Sequence, residues 1–287
     1  MAVYYIHRAL GYSLTADTTE QCLFLCYGTG ANGKTVFLSA LRHALGDYGI
    51  NTPFETFEDV RNRTATNDVA ALYRKRFVTS SETKERARLN EARIKAMTGC
   101  DPVTARFLYR EYFTYTPSYK IWLAVNHKPG VADESYGFWR RIRLIPFKTQ
   151  FPPDRADKQL SQTLSQEASG ILSWAVQGCL NWQSKGLEPP QVVKDVTEEY
   201  RSETDLIGQF LVECCVVGGN AWCRASQLFN EFKSWCVRNG IDDESRGSAT
   251  TFGRRIVEHG FFKKHTKTGK VYEGLRLLAE NSLESNV

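Results

Sequence analysis

The period of the apolar positions changes several times along the 287-residue chain, and each change marks an element. Cys22-Leu23-Phe24-Leu25-Cys26-Tyr27 is an unbroken apolar run, which suits a strand buried on both faces of a parallel sheet. After a polar, glycine-bearing stretch, Phe37, Leu38, Leu41 and Leu45 recur at helical spacing, and Gly46 offers a stop. The pattern then predicts a strand over residues 76–82, a helix carrying Leu89, Ala92, Ile94 and Met97, and a strand over residues 119–126. Another apolar segment follows at residues 139–147. Residues 157–183 carry an apolar stripe from Leu160 to Trp182 and read as helical, whereas residues 184–202, with Gly186 and Pro189-Pro190, read as a linker or loose helix. Helical spacing returns at residues 206–216, 224–239 and 248–259. Residues 261–278 alternate around a turn signal at Thr268-Gly269-Lys270, which predicts a β-hairpin.

Strands alternating with helices place the first part in the α/β class. Three helices followed by a hairpin predict a C-terminal winged helix. The domain plan is a short N-terminal helical segment at residues 1–20, an α/β core at 21–150, a helical extension at 151–204 and the winged helix at 205–287.

Charge sharpens this division. The net charge is +5, yet residues 246–276 alone hold eight Lys or Arg against two acids. The rest of the chain is close to neutral, so the excess marks a nucleic-acid-facing module at the C-terminal end, with a solvated basic face as the plainer alternative. No apolar run approaches the length of a membrane span, and no signal peptide is visible. The eight cysteines form no C-x-x-C pair. They read as free thiols in a reducing, cytoplasmic setting.

The polar stretch between the first strand and helix is the most informative in the chain. Gly28-Thr29-Gly30-Ala31-Asn32-Gly33-Lys34-Thr35 reads G-x-x-x-x-G-K-T, the pattern of a nucleoside triphosphate loop. Glycines let backbone N–H groups converge on phosphate oxygens, and the following helix N-terminus adds its positive end. Lys34 is expected on the β- and γ-phosphates of ATP and the Thr35 hydroxyl on Mg²⁺. The strand over residues 76–82 ends in Glu82. At the C-terminal end of a parallel strand this carboxylate would lie beside the loop, as a metal-side ligand and a candidate base. Asn126 ends the next strand and is placed to orient water there.

Two further segments carry cations. Residues 101–113 interleave aromatics with Arg106, Tyr109 and Arg110. Plain hairpin alternation explains this spacing as well as a loop presenting cations and aromatics to a nucleic-acid strand. Arg140 and Arg141 follow Trp139 in apolar surroundings, where an arginine could stabilise charge on a transferring phosphoryl group. In the basic C-terminal module, Arg254, Arg255, Lys263, Lys264, Lys267 and Lys270 are the candidate duplex contacts.

Taken in order, these motifs resemble a known family. G-T-G-A-N-G-K-T is followed by S-E-T-K at 81–84, T-G-C-D-P-V-T-A-R at 98–106, V-N-H-K-P at 125–129 and W-R-R-I at 139–142. This set is similar to the superfamily 3 helicases, and most like the C-terminal helicase part of phage-, plasmid- and poxvirus-type primase-helicases. The resemblance implies an AAA+-like ATPase core assembling as a homo-hexameric ring on single-stranded and duplex DNA, with a primase domain or protein as a further partner. It implies Glu82 as the Walker B acid, Asn126 as sensor 1 and Arg141 as an arginine finger reaching the neighbouring subunit's ATP, with Arg140 a second candidate. It makes residues 98–110 a pore hairpin gripping DNA, and residues 1–20 the remnant of a helical collar. An NTP-switched DNA-binding ATPase without unwinding activity is the alternative function.

Overall fold

The computed structural model describes residues 2–60, 66–82, 84, 87–133, 135–266 and 269–278. It divides into two compact units, Met1–Tyr200 and Arg201–Val287.

The first unit opens with α1 (Ala2–Leu14), then β1 (Leu23–Tyr27), the loop, α2 (Lys34–Leu45), β2 (Gly49–Asn51), α3 (Asn67–Ala70), β3 (Phe77–Ser81) and α4 (Glu91–Thr98). There follow β4 (Val103–Ala105), β5 (Phe113–Tyr115), β6 (Lys120–Val125), α5 (Tyr136–Trp139), β7 (Ile142–Pro146), α6 (Leu160–Gln166), α7 (Ala168–Lys185) and α8 (Gln191–Thr204), the last helix ending past the boundary at Tyr200. Five strands form one parallel sheet in the order β2-β3-β6-β1-β7, and β4 with β5 makes a separate antiparallel hairpin.

The unbroken apolar runs of β1 and β6 are explained by burial on both faces. Leu23, Leu25, Ile121, Leu123 and Val125 face one core with Ile94, Met97, Phe138, Trp139 and Tyr200. Cys22, Phe24, Cys26, Trp122 and Ala124 face the other, with Tyr5, Leu10 and Tyr12 of α1 and Leu38 and Leu41 of α2. Phe24 and Trp122 stack across the β1–β6 pair at 4.1 Å. The ammonium of buried Lys120 caps the end of α1's segment, donating to the Thr15 and Asp17 carbonyls at 2.6 and 2.8 Å.

The structure sharpens the helical extension. The apolar stripe over residues 157–183 is two helices, α6 and α7, which meet at Glu167. Of the two readings of the stretch after it, linker or loose helix, the structure takes the helix. Residues 191–204 form the 14-residue helix α8, whose Val193 and Tyr200 are buried. Pro190 precedes its first turn, where a missing N–H costs nothing.

The second unit contains α9 (Leu206–Cys214), β8 (Cys215–Arg224), α10 (Ala225–Arg238), α11 (Asp243–Arg246), α12 (Ala249–Glu258), β9 (Phe262–Thr266) and β10 (Gly269–Leu277). Its three strands form an antiparallel sheet in the order β8-β10-β9. Phe210, Phe232, Trp235, Phe252, Ile256, Tyr272 and Leu275 fill one core. The two strands of the predicted hairpin, β9 and β10, pair antiparallel. The sequence reading missed β8, because Gly218-Gly219-Asn220 interrupts the alternation. Those residues belong to a register shift, with Glu273 facing Trp222 and Leu275 facing Val217.

Candidate functional site

The parallel sheet brings three sequence segments to one end. Tyr27 pairs with Val125 and Ser81 with Ala124, so the glycine loop, Asn126 and Glu82 all leave their strands at the same edge. Because β6 lies between β1 and β3, Asn126 stands between the loop and the acid.

The loop geometry follows from its glycines. Gly30 and Gly33 sit at φ +107° and +79°, the left-handed region that side chains disfavour, and Ala31 adopts φ +49° between them. Gly28 has no room for a side chain, since a Cβ there would meet the Phe147 carbonyl at 2.4 Å. Gly33 also serves as the N-cap of α2, so no side chain caps that helix, and its first N–H groups remain available to an anion.

Lys34 is 5% exposed, and its ammonium is held by three oxygens: the Gly28 carbonyl at 2.7 Å, Asn32 Oδ1 at 2.8 Å and Asn126 Oδ1 at 3.0 Å. Burial pushes its pKa down from the ordinary lysine value. The contact to Asn126 joins two of the sequence candidates directly and leaves the amide N–H groups of Asn126 for a ligand.

Glu82 is 6% exposed, and among the described residues neither carboxylate oxygen has a hydrogen-bond partner. Burial pushes its pKa up to about 7, the nearby His127 backbone N–H pulls it down, and the negative charge of Glu58 adds a smaller upward push. Lys84 holds Glu58 at 3.0 Å and Glu55 at 3.3 Å. A buried carboxylate with only the nearby His127 N–H to offset its burial is a poor resting anion and a good cation ligand or base. Thr35, exposed in the first turn of α2, and Glu82 are therefore the residues that could hold a divalent cation. No cluster of three or more His, Cys, Asp or Glu side chains suited to a metal is present among the described residues.

The raised pKa makes a stability prediction. Glu82 favours its protonated form in the folded chain, so its contribution is fully present below the unfolded value near 4.5 and is lost as pH rises through about 7. A Glu82→Gln protein is expected to melt higher than the wild type at pH 8, and the gap should shrink toward pH 5. Melting curves at the two pH values check this; a gap that does not change with pH would remove the burial argument.

Arg140 and Arg141 lie elsewhere. Leu23, the first residue of β1, pairs with Ile142 and its N–H donates to the Arg141 carbonyl at 2.9 Å. Both arginines thus stand at the opposite end of the sheet from the loop, about 17 Å away along β1 at the usual strand rise. Arg140 donates to Gln21 Oε1, and Arg141 donates to the Gly137 carbonyl while its Nε is buried without a partner among the described residues. Burial, and then neighbouring Arg140, lower the pKa of Arg141.

The hairpin β4–β5 projects residues 106–112. Arg106 and Arg110 are exposed, and Tyr109 at the tip is 97% exposed with φ +58°. The Arg106 guanidinium lies 4.7 Å over the Tyr112 ring. The loop is anchored to the start of α3, where Thr66 Oγ1 accepts from the Arg106 N–H at 3.0 Å and Asn67 Oδ1 from the Leu108 N–H at 3.2 Å.

In the second unit, Arg254, Lys263, Lys264 and Lys270 are exposed, and Lys264 pairs with Glu273 at 2.9 Å. Arg255 is 7% exposed. It falls between Phe252 and Ile256 on the inward face of α12, so Arg254 is the arginine this helix presents to solvent. Lys267 lies outside the described residues.

The sequence reading passed over the segment after β7. Residues 147–151 run beside the glycine loop: the Phe147 N–H donates to the Tyr27 carbonyl at 2.7 Å and the Phe151 N–H to the Ala31 carbonyl at 2.7 Å. Asn32 Nδ2 donates to the Phe147 carbonyl at 3.0 Å and Gln150 Nε2 to Thr29 Oγ1 at 2.9 Å. No motif marks this segment; only its position after the strand next to β1 does.

Known proteins resemble this chain in both units. A family of unknown function (DUF5906) matches residues 26–141, which contain the loop, Glu82, the hairpin and Asn126. A family described as poxvirus D5 protein-like matches residues 202–276, within the second unit. An Acanthamoeba polyphaga mimivirus protein named "Putative helicase L207/L206" is 26% identical over 256 residues, covering 82% of this chain and 27% of that protein. Frog virus 3 "Putative helicase 022R" is 26% identical over 252 residues, covering 81% of this chain and 26% of that protein. African swine fever virus "Putative primase C962R", from the isolate Warthog/Namibia/Wart80/1980, is 24% identical over 243 residues, covering 77% of this chain and 25% of that protein. The chain therefore spans about a quarter of the length of these curated relatives. Among solved structures, an apo structure of the NrS-1 C-terminal region aligns with a TM-score of 0.54 at 13% identity, covering 93% of this chain and 69% of that one. This likeness shows a shared mixed α/β fold with a parallel sheet.

Proposed function

We propose that this chain is the ATPase motor of a DNA helicase of viral or mobile-element replication, built as an AAA+-like P-loop core with a C-terminal winged helix. The observation that carries the reading is the meeting of Lys34, Asn126 and Glu82 at one edge of the parallel sheet, above an uncapped helix N-terminus. The names of the viral relatives support replication as the setting.

The residues fit ATP and Mg²⁺. The loop N–H groups and Lys34 would bind the phosphates, and Thr35 and Glu82 would hold the cation, whose charge would neutralise the developing phosphoryl charge. Asn126 would orient the attacking water with its free amide N–H groups, and Glu82 would accept its proton. The position of Arg141 supports action on a neighbouring copy's nucleotide, since it cannot reach across the sheet to its own loop.

DNA would be held at two places. The exposed hairpin tip, with Arg106, Tyr109 and Arg110, suits a single strand; Arg254, Lys263, Lys264 and Lys270 suit duplex phosphates. Neutralising Lys263 and Lys264 is expected to weaken duplex binding and flatten its salt dependence by roughly one unit per lost phosphate contact, with DNA-free ATPase unchanged. Changing Arg106 and Arg110 should preserve duplex docking and depress single-strand stimulation of ATPase and unwinding. A salt titration of duplex affinity run beside a stimulated ATPase assay tests both; loss of the same activity in both double mutants would defeat the two-site plan. Strand displacement on a forked duplex separates a helicase from an NTP-switched ATPase that binds DNA without unwinding it.

A further inference from the structure

We infer that residues 147–151 form the nucleobase side of the nucleotide site, with Phe151 supplying the stacking ring. This rests on the reading of the glycine loop as an ATP site and adds a ligand-binding segment to it. The argument is one of direction. Asn126 and Glu82, which would face the terminal phosphate, leave β6 and β3 on one side of β1. A nucleotide with its γ-phosphate toward them must extend its other end past β1, toward β7. The chain that leaves β7 at this same edge is the strap 147–151, tied to the loop at Tyr27, Thr29, Ala31 and Asn32 by four hydrogen bonds of 2.7–3.0 Å.

The two aromatic residues of the strap are used differently. Phe147 packs against Phe37 of α2 at 5.7 Å between ring centroids and anchors the segment. Phe151 is 48% exposed, while its own N–H is bound to the Ala31 carbonyl. An aromatic side chain held at the backbone but open at the ring is a stacking platform for a flat heterocycle, and stacking tolerates any base. Gln150 fixes Thr29 and so holds the loop's outer rim against the strap.

The test is binding of ATP and of inorganic tripolyphosphate, measured by calorimetry with Mg²⁺ on the full chain. Phe151→Ala is expected to weaken ATP binding about tenfold, the scale of one stacked base, while leaving tripolyphosphate within twofold of wild type. Phe151→Trp should retain ATP affinity. An equal loss for both ligands would make the residue a structural support of the loop, and no loss for either would remove it from the site; each result overturns the inference. Lys34→Ala distinguishes the underlying reading, since it should lose both ligands. If it retains both, the ATP site itself is misassigned.

Discussion

A Glu82→Gln protein is expected to bind ATP as tightly as the wild type and to hydrolyse it about 10²–10⁴-fold more slowly, the usual range for loss of a positioned general base. The carboxylate sits past β3 with no hydrogen-bond partner among the described residues, so the isosteric amide breaks no described contact that shapes the loop. Its pKa of about 7 places it where a base is most effective near neutral pH. Lys34→Ala gives the contrasting outcome. It removes the ammonium bound by Gly28, Asn32 and Asn126, and with it the cation that would meet the phosphates, so binding itself should fail. Equilibrium ATP binding and single-turnover hydrolysis on the two proteins separate the roles. Normal turnover by Glu82→Gln would end its assignment as base.

The second large effect concerns Arg141. Arg141→Ala protein should bind ATP yet hydrolyse it roughly 10³-fold or more slowly, the scale for loss of an arginine that neutralises transition-state charge. Mixing it with Lys34→Ala protein should restore part of the activity, because a mixed assembly pairs an intact loop from one copy with an intact arginine from the other. Neither mutant alone can do so. The measurement is ATPase rate against mixing ratio under conditions of free subunit exchange. A flat line at the sum of the two residual rates would exclude action between copies. Arg141 would then be a structural residue closing the turn at Gly137, since its position at the far end of β1 already denies it the loop of its own chain.

Much of this was legible where local chemistry and tertiary position coincide. The run from Cys22 to Tyr27, the glycines and the stripe from Phe37 to Leu45 each demand one conformation, and together they state strand, loop and helix. Asn126 was readable because an apolar run buried on both faces ends abruptly in an amide, and Glu82 because it is the acid that closes the next predicted strand after the glycine loop, a strand whose later residues are Thr79, Ser80 and Ser81. Other features depended on partners far away in the chain. The strand β8 contains two glycines and gains its pairing from β10, about 50 residues later, so its own pattern is silent. The helix α8 follows two prolines, which mark a boundary without saying what comes next. Arg255 was grouped with Arg254 by charge, although the spacing of Phe252 and Ile256 already turns it inward. The strap at 147–151 carries no motif at all; its relation to the loop exists only once β7 is placed beside β1.

The separation of Arg141 from the glycine loop has a kinetic consequence. If each working centre draws its loop from one copy and its arginine from another, a lone chain holds two half-centres and no whole one. ATPase rate per mole of protein would then rise with protein concentration and level off only when association is complete. Dilution would silence the enzyme reversibly, without unfolding it. Anything that gathers copies on one molecule, a DNA strand above all, would act as an activator simply by raising their local concentration.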